Sequence, residues 1–146
     1  MQEKLSFADI LLDVSSPLFR KIDCYRLPVP DLDAALAFYG DKLGHQLVWR
    51  SETAAGLRLP QSGAELVLQT ERPEQETDLL VESVPAAVQR IVAAGGRVLV
   101  QPFEILIGKC AVVADLFGNV LVILDMSKGR LATDADGNVV GNDPAG

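Results

Sequence analysis

Asp115-Leu116-Phe117-Gly118-Asn119-Val120-Leu121-Val122-Ile123-Leu124-Asp125 reads as a tight turn feeding an apolar strand. Gly118-Asn119 supplies two residues that tolerate positive φ, so the chain can reverse there. Val120 to Leu124 is an unbroken apolar, β-branched-rich run, the pattern of a buried strand. A fainter copy lies upstream in Gln61-Ser62-Gly63-Ala64-Glu65-Leu66-Val67-Leu68-Gln69. If the two stretches correspond, the chain is a duplicated unit, and any site lies where equivalent strands face each other.

The same order of elements occurs twice on either side of residues 70–75. Residues 22–29 form a strand in which Tyr25, Leu27 and Val29 share one face, with Asp23 at its start, while Cys24 and Arg26 share the other. Asp31 caps a helix over 31–43 that ends at Leu43-Gly44. Strands follow at 45–51, 55–59 and 64–69, and the polar stretch 70–75 links the halves. The pattern restarts with a strand at 76–82 and a helix at 84–94, with Pro85 in its first turn and Gly95-Gly96 at its end. Strands at 97–102, 109–115 and 120–125 complete it. Residues 1–21 read as an arm or short amphipathic helix. Residues 127–146 read as a tail in which Asp136-Gly137 signals a hairpin and Gly141 onward is a loose end. Asp134-Ala135-Asp136-Gly137 lacks the glutamate that would complete a calcium loop.

With 146 residues, 49% of them hydrophobic, the chain can bury one core. Its net charge of −7 argues against non-specific nucleic-acid binding, which needs a basic footprint. No apolar run approaches the roughly 18–20 residues of a membrane span. Met1-Gln2-Glu3-Lys4-Leu5 lacks the pattern of a secretory signal, so a cytoplasmic location is expected. Cys24, Cys110 and the single His45 show no metal-binding spacing.

Val29-Pro30-Asp31-Leu32-Asp33-Ala34-Ala35, Phe38-Tyr39 and Leu43-Gly44, followed by Val88 to Gly96 and Asp115-Leu116-Phe117-Gly118-Asn119, resemble the vicinal oxygen chelate superfamily. That superfamily includes glyoxalase I, bleomycin resistance proteins and extradiol dioxygenases. The resemblance spans about residues 22–126. It implies an α+β fold of two βαβββ modules (22–70 and 76–126) that form curved mixed sheets around a cavity, commonly as a homodimer. It also implies that metal ligands of the family's enzymes would fall at Cys24, Val67, Glu76 and Val122. Two of these are valines, which offer no lone pair, and a thiol with one carboxylate makes a poor divalent site. No metal and no other cofactor is therefore expected.

Strand alternation proposes the cavity lining: Cys24 and Arg26; Glu65 and Val67; Glu76 and Asp78; Val122; with Trp49 available to stack on a flat ligand or to fill core or interface. Two roles are open to Arg26. It can form an internal ion pair with Glu65, Glu76 or Asp78, or it can recognise a carboxylate, phosphate or carbonyl of a ligand. The expected function is metal-free binding of a small hydrophobic or aromatic molecule. The alternatives are a lyase, isomerase or dioxygenase using an altered metal site or acid–base residues such as Glu65 and Glu76, and a structural or regulatory module whose cavity Arg26 closes.

Overall fold

The two βαβββ modules meet at their first strands. In the computed structural model, which describes residues 16–144, the first module runs β1 (Lys21–Pro28), α1 (Leu32–Leu36), β2 (Leu47–Arg50), β3 (Ala54–Arg58) and β4 (Glu65–Gln69). The second runs β5 (Glu76–Leu80), α2 (Val84–Ala93), β6 (Arg97–Ile105), β7 (Gly108–Ala114) and β8 (Val120–Leu124). A hairpin of β9 (Arg130–Thr133) and β10 (Val139–Asp143) follows. The short helix expected within residues 1–20 falls largely outside the described residues.

β1 and β5 pair antiparallel, and this joins the modules edge to edge into one eight-stranded sheet ordered β2-β3-β4-β1-β5-β8-β7-β6. Within each module the first strand lies parallel to the last, β1 to β4 and β5 to β8, and the other pairings are antiparallel. The second module thus repeats the first in reverse order across the central pair. This leaves β2 and β6 as the two sheet edges.

Local chemistry explains the boundaries. The Asp31 carboxylate accepts from the Ala34 N–H at 3.1 Å, and the Ser83 hydroxyl does the same for Ala86 at 3.3 Å, so both helices start on a side-chain cap. α1 is much shorter than the 31–43 span predicted. After Leu36 the chain widens into a π turn over Ala37–Lys42, in which the Leu43 N–H donates to the Phe38 carbonyl at 3.0 Å. Pro102 does not end β6, because this strand lies on an edge where a missing N–H leaves no ladder bond unmade, and irregularities between Val98 and Phe103 absorb it. The strand therefore runs on to Ile105, beyond the 97–102 predicted.

The turn at Asp115–Asn119 is clasped by its own aspartate. Asp115 accepts from the N–H groups of Phe117 and Asn119 and from the Asn119 side chain at 2.8–2.9 Å, with Gly118 at φ +88°. Asp134, Gly137 and Asn138 repeat the arrangement at the tip of the hairpin, with Gly137 at φ +87°. The segment from Gly141, expected to be loose, is strand as far as Asp143.

Each helix covers an apolar core on one face of the sheet. Leu32 and Ala35 of the first helix pack with Ala55, Leu57 and Leu68. Val84 and Ala87 of α2 pack with Val81, Ala111, Val113 and Ile123. Cys24, Ala54 and Val67, with Trp49 against them, form a separate cluster. Alternation along the strands assigns this cluster to the opposite face, where the site lies.

Candidate functional site

A cleft of about 700 Å³ opens over the middle of the sheet. Its floor comes from the central strands: Asp23, Cys24 and Arg26 on β1, Glu65 and Val67 on β4, Glu76 and Asp78 on β5. One wall carries Val48 and Trp49 of β2, and the other carries Phe103, Ile105, Leu106 and Ile107 from the end of β6 and its turn. Leu124 and Met126 extend the apolar side, and Arg130, Leu131 and Thr133 of β9 also line it. Seven of the eight side chains proposed from the sequence therefore converge. Val122 does not line the cleft. It pairs in register with Asp78 and Val112, half-buried, and Leu124 takes the lining position on its strand.

Among the lining residues outside the sequence expectation, three groups have a clear physical reason. Alternation puts Asp23 on the helix-packed face, but β1 has an irregularity between Ile22 and Cys24 that breaks the alternation and brings Asp23 into the cleft beside Cys24. Phe103 to Ile107 escape because a strand ending at residue 102 stops short of them. The β9 residues escape because a tail beyond the repeat carries no signal that it returns to the site.

Trp49 lies across Gly56, its partner on β3; a Cβ at that position would overlap the indole. Only glycine leaves room for the ring there. The indole N–H donates to Glu65 Oε1 at 2.8 Å. Glu65 nonetheless has a pKa raised above the ordinary carboxylate range, chiefly by desolvation, with the nearby Asp23 charge adding to it. Asp23 is raised as well, again chiefly by desolvation, against the pull of Lys21. Two partly desolvated carboxylates thus share one lysine at the cleft floor.

Arg26 is engaged by its own chain. Its guanidinium bonds Glu71 Oε1 at 3.0 Å, and its Nε lies 3.9 Å from Glu76 Oε2. Glu71 comes from the linker, which Gln69 organises by accepting from the N–H groups of Glu71 and Arg72 and donating to the Arg72 carbonyl. Arg72 also pairs with Glu76, at 2.6 Å. Glu76 is held below the ordinary range: burial works to raise it, and contact with Asp78, Arg72 and Arg26 outweighs that.

Asp78 is its counterpart. Only 6% exposed, it is pushed up to about 8 by burial and by the neighbouring Glu76 carboxylate. The Cys24 thiol donates to Asp78 Oδ2 at 3.5 Å, while among the described residues no donor reaches the buried Oδ1. A protonated Asp78 that shares its proton with ionised Glu76 accounts for both observations. Cys24 itself is driven far up by burial and then by the charges of Asp78 and Asp23, so it is a thiol and no nucleophile at neutral pH. Cys110, pushed up to about 11 mainly by burial, is equally inert.

The Glyoxalase/Bleomycin resistance protein/Dioxygenase superfamily matches residues 21–123, about seven-tenths of the chain. The chain belongs to this superfamily. No curated protein matches it. Among solved structures, methylmalonyl-CoA epimerase from Mycobacterium tuberculosis aligns with a TM-score of 0.62 at 19% identity, over 76% of this chain and 91% of that one. A variant of the Streptomyces coelicolor methylmalonyl-CoA epimerase, in complex with 2-nitronate-propionyl-CoA, aligns with a TM-score of 0.60 at 19% identity, over 75% and 99%. An extradiol ring-cleaving dioxygenase from B. fuscum aligns at 0.52 and 22% identity, over 76% of this chain and 34% of that longer one. At these identities the likeness concerns the fold.

The metal chemistry of the superfamily's enzymes does not fit the residues here. Of the four corresponding positions, Val67 is fully buried hydrocarbon and Val122 lies outside the cleft. The Cys24 thiol is spent on Asp78, and Glu76 is neutralised by two arginines. Among the described residues no three His, Cys, Asp or Glu side chains are grouped to hold a metal ion. Also among them, no helix is long and apolar enough to cross a membrane.

Proposed function

We propose that the chain is a metal-independent binding protein for a small amphiphile whose aromatic or apolar body lies in the cleft. The body would sit between Trp49 on one wall and Phe103, Ile105 and Leu106 on the other. The observation that carries this is the pairing of an apolar cleft with Asp23 and Glu65, two carboxylates whose desolvation outweighs the pull of Lys21, of Arg26 on Asp23 and of the Trp49 N–H on Glu65. A ligand bringing an ammonium group or a strong hydrogen-bond donor to that end would restore what burial took from them. Binding of this kind needs shape, stacking and one polar anchor, all of which the lining supplies.

Proton-transfer catalysis is the second reading, and the Asp78–Glu76 pair is what favours it. Arg26 and Arg72 weigh against it, because they stabilise the Glu76 charge and so make it a weak base.

Melting the protein with naphthalene probes that differ only in their polar group tests the binding role. Naphthylmethylammonium should raise the midpoint most, the neutral alcohol less and naphthylacetate least. A ligand at 100-fold excess over its Kd adds about 2.7 kcal/mol to stability, which for a domain of this size is a shift of roughly 5 °C or more. No shift with any probe at millimolar concentration would defeat the binding role, and an equal shift with all three would defeat the carboxylate anchor.

A further inference from the structure

We propose that the C-terminal hairpin, residues 130–143, is a built-in wall of the ligand site that sets the size of molecule the cleft accepts. This extends the binding role above and rests on it. The superfamily match ends at residue 123, so the hairpin is an addition beyond the matched region.

Its placement is the evidence. β2 and β6 are the two edges of the eight-stranded sheet, separated by all six other strands. The hairpin bridges these edges across the cleft. At its tip, the Arg50 N–H of β2 donates to the Gly137 carbonyl at 2.8 Å, and Arg50 and Asn138 form a parallel bridge. At its base, the Lys128 N–H donates to the Ile107 carbonyl at 2.8 Å, and the Lys128 ammonium reaches the Ile105 carbonyl and the Glu104 carboxylate. The Asn142 side chain ties the returning strand to the Lys128 carbonyl at 2.7 Å. The Asp134 clasp fixes the tip in the conformation that meets Arg50. A strap held at both sheet edges converts an open curved surface into a cleft closed on a further side.

Three hairpin residues line that cleft, Arg130, Leu131 and Thr133. Leu131 is half-buried and apolar, facing the same space as Trp49 and the β6 wall. Val140, on β10, is largely exposed and is not part of the lining. One strand of the hairpin therefore serves the site while the other supplies the outer surface.

Trp49 is the chain's only tryptophan and lines the cleft, so its emission reports occupancy directly. The test is titration of the full chain with naphthylmethylammonium and with the bulkier anthrylmethylammonium, followed by Trp49 fluorescence. Leu131→Ala should weaken naphthylmethylammonium binding by about tenfold, as expected for loss of one apolar contact surface. The same variant should improve the anthryl-to-naphthyl affinity ratio. Thr133→Ala, on the rim, should shift that ratio in the same direction by a smaller factor. It also keeps the test open should Leu131→Ala fold poorly. Val140→Ser should change neither affinity. Wild-type binding that Leu131→Ala and Thr133→Ala leave unchanged in both affinity and ratio would overturn the wall and spare the binding role. No response of wild-type Trp49 to either probe would overturn both.

Discussion

Replacing Asp125 by alanine should destabilise the fold by about 3–5 kcal/mol, measured as the change in urea unfolding free energy at pH 7. Asp125 directly follows the apolar strand β8 and is only 1% exposed. Its carboxylate accepts from the Val84 N–H at 2.8 Å, the Lys109 N–H at 2.9 Å, and both the N–H and the hydroxyl of Ser127. It thus holds together the start of α2, the start of β7 and the exit toward the hairpin. Alanine would leave the buried Val84 amide and the half-buried Lys109 amide with no acceptor, and the cost of unmade buried bonds exceeds the value of made ones. Gly108 fits the same design, because a Cβ there would collide with the Asp125 carboxylate. Burial acts to raise the Asp125 pKa, but its hydrogen bonds outweigh that and hold it below the ordinary value of 3.8. Its contribution to stability is therefore present above the unfolded-state value and is lost as pH falls through the lower folded one. The gap between wild type and Asp125→Ala should accordingly narrow below about pH 4. A loss under about 1 kcal/mol at pH 7 would contradict the organising role given to this carboxylate.

Asp78→Asn should have the opposite sign and a different pH window. The folded protein holds Asp78 protonated up to about pH 8, while the unfolded chain releases that proton near the ordinary value of 3.8. Between those values the folded state binds the extra proton, so wild-type stability from this group declines as pH rises. Asparagine removes the titration yet keeps an acceptor for the Cys24 thiol and a donor toward Glu76. The variant should therefore gain on wild type steadily from about pH 5 to pH 8 and level off above, by on the order of 4 kcal/mol. Paired urea melts at pH 5 and pH 9 read this directly. A pH-independent difference would mean that Asp78 is ionised in the folded protein.

The fold is legible in the sequence because its signals are local. Asp31 and Pro85 mark helix starts, Gly44 and Gly95 mark helix ends at positive φ, and Gly118-Asn119 marks a turn closed by Asp115 four residues earlier. Each of these is decided within a few residues by backbone sterics and capping chemistry. The length of α1 is not legible, since nothing in Ala37 to Lys42 distinguishes a π turn from a continued helix.

The site is legible where strands alternate regularly, which places Cys24, Arg26, Glu65, Val67, Glu76 and Asp78 in the cleft together with Trp49. Alternation fails at an irregularity, and so puts Asp23 on the wrong face. It also cannot say where along a strand the cleft ends, and so includes Val122 although Leu124 lines it. The partners of Arg26 illustrate a third limit. Glu76 is among those the strand pattern offers, but Glu71 sits in a linker whose path is set by the Gln69 side chain. The hairpin turn at Asp136-Gly137 is readable, whereas its reach from Ile107 to Arg50 depends on contacts made only after the sheet has curved.

We propose a cleft that binds an amphiphile through hydrocarbon and carboxylates without a metal. Calorimetric titration of the purified chain with naphthylmethylammonium, repeated after exhaustive treatment with EDTA, addresses it most directly. The expected result is one site per chain, a negative heat-capacity change from buried apolar surface, and the same affinity before and after chelation. Binding that disappears with EDTA and returns with a divalent cation, or no binding in either condition, would contradict it.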